Sequence, residues 1–142
     1  MRILQADVVK FLCDFIRAEL RRLPDPFFHD VEVAAIEPDV AARDYPDKLV
    51  TVAVSTVSDA DLHLSDVSVR VNYVAGTPEF PDDCVKLARM VHAIVRDCAR
   101  VADGNPVAAV TASRGAMSVV DEQLRARWFS LFDLVVVGTL VP

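Results

Sequence analysis

Val67-Ser68-Val69-Arg70-Val71-Asn72-Tyr73, followed after a short gap by Asp82-Asp83-Cys84-Val85-Lys86-Leu87-Ala88-Arg89-Met90-Val91, is the pair of segments that decides the fold. In the first, apolar residues alternate with polar ones, the period of a strand that buries one face only. In the second the period changes: at 100° per residue Cys84, Leu87, Ala88, Val91, Ile94, Val95 and Cys98 share one face, and Lys86, Arg89, Arg96 and Arg100 lie opposite. Gly76, Pro78 and Pro81 separate the two segments. Pro81 with Asp82 and Asp83 suits a helix's first turn, where a missing N–H is harmless and carboxylates meet the positive end of the dipole. Gly104 and Pro106 are expected to close this helix.

Working upstream, residues 48–58 carry Leu49, Val50, Val52, Val54 and Val57, with Thr51, Ser55 and Thr56 between them. This β-branched composition predicts a second strand. The polar connection 59–65 makes the two strands antiparallel neighbours. Residues 31–36 read as a short strand, and Pro38, Asp39, Asp44, Pro46 and Asp47 mark a turn-rich passage after it. Residues 5–23 place Val8, Leu12, Phe15, Ile16, Leu20 and Leu23 at helical spacing. Pro24 and Pro26 stop that helix, and Arg21 and Arg22 suit its C-terminal dipole. Downstream, the pattern predicts a strand at 107–113, a turn at Arg114 and Gly115, a short apolar piece at 117–120 and a long strand at 127–141. No repeat and no low-complexity tract interrupts the order. The expected fold is a single α+β domain over residues 1–142, mostly antiparallel sheet with two main helices on one face.

The chain has 142 residues, 53% hydrophobic and 25% charged, enough apolar matter for one core and enough charge for water. The net charge of −6 argues against a sequence-independent grip on nucleic-acid phosphates. The stretch 128–141 is broken by Asp133 and is shorter than the roughly 20 residues that span a bilayer. Gln5, Asp7 and Lys10 interrupt the apolar beginning before a secretory core could form, so the start is expected to belong to the fold. Cys13, Cys84 and Cys98 are odd in number and widely spaced, and they are expected to be buried thiols in a reducing cytoplasm.

His29, His63 and His92 lack the local spacing of a metal motif. His29 and His63 fall in loops, and His92 falls on the flank of the second helix. Asp59, Asp61 and Asp66 lie in one acidic run, but that run has neither the sixth-position glycine nor the terminal glutamate of a calcium loop, and a solvated hairpin tip is expected. No GxSxG elbow, P-loop or GxGxxG turn is present. The reading is therefore of no enzyme, no metal and no cofactor. The basic stripe Lys86, Arg89, Arg96 and Arg100 is either a solvated helix face or an electrostatic seam against an acidic surface, such as Asp59, Asp61 and Asp66, of a neighbouring subunit. Strand alternation divides Trp128, Phe129 and Phe132 between a core face and a face available for contact.

The order of elements resembles the tail terminator proteins of long-tailed bacteriophages, in particular the divergent versions from actinobacteriophages. The opening helix, the strand 67–73, the helix directly after it and the closing region 107–141 carry the likeness. In that closing region the Gly115 turn leads through Val119-Val120-Asp121 to Arg127-Trp128-Phe129-Ser130-Leu131-Phe132-Asp133-Leu134-Val135-Val136-Val137. This is similar to the family's short arm and final long strand. The passage 39–47 has no counterpart in it. The resemblance implies a virion protein, assembled in the host cytoplasm, that forms a hexameric ring. Such a ring caps the tail tube, ends its polymerisation and meets the head connector, with DNA passing through its lumen unheld. It implies no catalytic residue. Another head–tail joining, neck or tube protein is an alternative within the same class. A small-molecule-binding α+β domain, with a polar pocket between sheet and helices, is the alternative from a different class.

Overall fold

The structure, a computed structural model, describes residues 2–39, 41–119 and 125–142. Its elements in chain order are β1 (Arg2–Leu4), α1 (Val8–Arg22), a 3-10 turn (Pro26–Phe28), β2 (Glu32–Ala34), β3 (Lys48–Asp59), β4 (Leu64–Ala75), α2 (Asp82–Arg96), β5 (Val107–Ser118), β6 (Arg127–Val137) and β7 (Thr139–Val141). A five-stranded sheet runs β2-β3-β4-β6-β5, and β1 pairs with β7 in a separate two-stranded sheet. The fold is the expected α+β domain, antiparallel except where β2 runs parallel to β3.

Alternation puts one face of β4 wholly inside: Val67, Val69, Val71 and Tyr73 are all buried. The register extends that face sideways, setting Val52 opposite Val71, Phe132 opposite Val69 and Leu134 opposite Val67. α1 covers it with Val8, Leu12, Cys13, Ile16 and Leu20, and α2 with Cys84, Leu87, Ala88, Val91 and Val95, giving one continuous core. Each such aliphatic side chain contributes roughly 1.5–3 kcal/mol of burial. Among the described residues no helix covers the opposite face of the sheet. There Arg70 lies over the Phe129 ring at 4.1 Å and Ser68 Oγ donates to Asp133 Oδ1 at 2.7 Å.

Helix α1 is narrower than residues 5–23, because the Asp7 side chain accepts the Lys10 amide at 3.1 Å and fixes the start, while Leu23 turns extended before Pro24. Helix α2 ends at Arg96, so Cys98 and Arg100 lie beyond it and Gly104 does not cap it. Asn105 organises the intervening loop instead. Its Nδ2 donates to the Cys98 and Arg100 carbonyls, each at 2.9 Å, and its Oδ1 accepts the Val107 amide at 2.9 Å. Pro81 stands one position before the first helical residue.

The expected turn at Arg114 and Gly115 is a bulge within one continuous strand, β5, whose pairing with β6 shifts register three times. Gly115 adopts φ +119°, and a Cβ there would meet Phe129 O at 2.9 Å. Val120 and Asp121 of the expected apolar piece and arm lie outside the described residues. The long strand expected at 127–141 divides at Gly138, where the chain leaves the main sheet to reach β1. A Cβ on Gly138 would lie 2.5 Å from Ile3 Cγ2, so that close approach requires glycine.

Candidate functional site

Strands β3 and β4 each have 12 residues and form a hairpin roughly 35–40 Å long at about 3.3 Å per residue. The sequence-derived interface residues divide between its ends. Asp61 lies in the tip, 60–63, and Asp59 ends β3 beside it, with Asp66 a little below on the sheet face away from α1 and α2. Lys86 and Arg89 lie near the other end, beside a groove of about 620 Å³ between the end of α1 and the outer flank of α2.

The groove has an apolar floor of Leu23, Phe28, Val85, Met90 and Ala93. Lys86 Nζ reaches Asp25 at 2.8 Å and stands 4.4 Å from the Phe27 ring centroid. Its hydrogen bond, followed by that of the Phe27 amide, holds the Asp25 carboxyl below the usual carboxylate range. Arg100 folds back from beyond α2, 3.1 Å from Glu19 and 2.6 Å from Asp97, and lies over Phe15. The stripe is thus unequal. Lys86 and Arg100 have intramolecular carboxylates, whereas Arg89 and Arg96 are exposed and form no ion pair among the described residues.

At the tip, Ala60 N and Asp61 N both donate to the Leu64 carbonyl at 3.1 Å, and Asp61 accepts the Leu62 amide. Asp59 Oδ1 receives Gln5 Nε2 at 3.0 Å. Leu62, flanked by Asp61 and His63, is 74% exposed. The sequence reading attended to the carboxylates and passed over this leucine, although an apolar residue amid acids in Asp59-Ala60-Asp61-Leu62-His63 was a usable signal.

A polar group the sequence reading did not single out lies under α2. Ser130 occupies a core position of β6 with no exposed surface. The Tyr73 hydroxyl is 2.8 Å from Ser130 Oγ, and so is His92 Nδ1. Burial, then the nearby Arg96, lowers the His92 pKa, and burial raises that of Tyr73. This serine–histidine pair has the elements of a nucleophile and base, but the oxygen is sealed in the core and does not face a substrate. Its role is to satisfy polar atoms between helix and sheet. All three cysteines are buried thiols, and burial pushes Cys84 and Cys98 up to about 11. His29 and His63 are exposed loop residues, and no group of three metal-ligating side chains converges among the described residues. No helix among the described residues is long and apolar enough to cross a membrane.

Arg127 and Glu37 form a half-buried ion pair beside the turn-rich passage, with the Tyr45 hydroxyl donating to Glu37 at 2.7 Å. Arg125 donates to the carbonyls of Gly76 and Asp47, each at 2.7 Å, and ties that passage to the sheet. No protein-family model matches the chain, and no curated protein matches it.

Proposed function

We propose that this protein is a structural subunit that assembles head to tail with copies of itself, forming a ring that caps the tail tube of a long-tailed bacteriophage and joins it to the head connector. The observation that carries the assembly reading is the placement of two unlike exposed surfaces, one an acidic hairpin tip and the other a groove bordered by cations, at opposite ends of the same hairpin. A heterologous ring needs two different patches on each subunit, and neither patch can reach the other within one chain. The tail-terminator part of the reading rests on the order of elements. It is supported by the helix–sheet–helix core followed by a closing pair of long strands. The acidic balance suits a lumen through which DNA slides without exchanging many counterions. The partners in this reading are other copies of the chain, the tube protein and the connector, with no cofactor required.

Light scattering coupled to size exclusion, over a concentration series, tests assembly, and co-sedimentation with purified tail tubes tests capping. Rings of about six subunits that bind tube ends are expected. A chain that is monomeric throughout and ignores the tubes would overturn the proposal.

A further inference from the structure

We infer that the β3–β4 tip of one copy seats in the α1–α2 groove of a second copy, with Leu62 on the apolar floor and Asp61 against Arg89. The inference rests on the head-to-tail reading and names its contact. Leu62 projects from a turn whose backbone is already fixed by the two hydrogen bonds to Leu64 O and by the Asp61 side chain. A pre-ordered anchor loses little conformational entropy on docking. The groove offers what such an anchor requires, an apolar surface formed by the half-buried Leu23, Val85 and Met90 over the buried Phe28, open among the described residues.

Charge sets the polarity of the contact. The Asp25 carboxylate is engaged by Lys86, and Asp82 sits in the first turn of α2, where the helix dipole favours it, so Arg89 is the groove cation with no ion pair among the described residues. On the tip, Asp61 gives one carboxylate oxygen to the Leu62 amide and retains the other, with Asp59 and Asp66 adding negative charge nearby. Two acidic tips brought together repel, whereas a tip on the groove sets Asp61 beside Arg89. The hairpin's length prevents a chain from filling its own groove, so each copy offers one tip and accepts one.

Two variants and their mixture provide the test. Leu62→Asp has a disabled tip and an intact groove, and Arg89→Glu has the reverse. Both residues are exposed, so circular dichroism is expected to show native folds for both variants. Each variant alone is expected to be monomeric where the wild type assembles, and their mixture to give a one-to-one dimer and nothing larger. Asp61→Arg combined with Arg89→Glu in one chain is expected to restore assembly. If the wild type assembles and both single variants assemble equally well, the tip–groove contact is wrong and the ring reading stands. If the wild type is monomeric and the mixed variants do not pair, the contact is overturned along with self-assembly. Assembly only on tail tubes, unaltered by either variant, overturns the contact and assigns the groove to the tube.

Discussion

His92 Nδ1 lies 2.8 Å from the Ser130 hydroxyl, across the boundary between α2 and β6. Ser130 Oγ accepts from the Tyr73 hydroxyl, so the imidazole tautomer with a bare Nδ1 accepts the Ser130 proton, whereas a protonated ring must donate instead. Burial and Arg96 hold the His92 pKa below its ordinary 6.5. The unfolded chain therefore takes up the proton first. Stability is intact above 6.5 and is lost as pH falls from there toward the folded value. Urea melts at about pH 7.5 and about pH 5.5 are expected to show a lower midpoint at the acid value. His92→Gln is expected to shrink the difference.

Removing the shared acceptor is expected to strand the tyrosine. Ser130→Ala leaves a fully buried Tyr73 hydroxyl without its partner and should cost about 1–3 kcal/mol by denaturant titration. Adding Tyr73→Phe removes the stranded group and is expected to recover part of that loss, which would show as non-additivity in a double-mutant cycle.

The Arg127–Glu37 pair gives a pH signature of the same sign in a more acidic window. Arg127, with a smaller contribution from Tyr45, holds the Glu37 carboxyl below its ordinary 4.5. Its contribution is present above 4.5 and is lost as pH falls through the folded value. Glu37→Gln is expected to lower stability by about 1–3 kcal/mol near pH 7, with the difference from wild type closing in acid.

Thiol accessibility provides an independent check on the core. With Cys84 on the buried face of α2 and Cys98 buried just beyond its end, and both pushed up to about 11, neither is expected to react with a disulfide reagent near pH 8 in the native protein. All three thiols should react once the chain is unfolded. Rapid native labelling of Cys84 would contradict the packing of α2 on β4.

Leu87→Ala and Leu134→Ala are each expected to cost about 2–5 kcal/mol, since both side chains are fully buried in the single core. Calorimetry would read this as a lowered Tm, with no independent transition for either helix.

Long elements with a clear period were legible before the structure. Val67 to Tyr73 fixed a half-buried strand, and the 3.6-residue spacing of Leu87, Val91 and Val95 fixed the helix after it. Shorter or irregular features were not. The three-residue β1 has no room to show alternation, and it pairs with β7 at the other end of the chain, a contact no local pattern encodes. Gly104 suggested a helix end, yet Asn105 side-chain bonds hold that loop. Gly115 was read as a turn and lies instead in a bulge of one continuous strand, because a turn and a bulge make the same demand on φ. At the candidate site, charge marked both ends of the hairpin. The sorting of Lys86 and Arg100 into internal pairs depended on where Asp25 and Glu19 fold, and only the structure places those.

The irregular edge strand β5 bears on how this protein can change. Its three register shifts break the even row of amides and carbonyls that another strand would need for pairing. A neighbour approaching that edge must therefore be recognised by side chains. Recognition through side chains can be retuned one substitution at a time without rebuilding the backbone, so the contacts this edge makes can change while the fold stays the same.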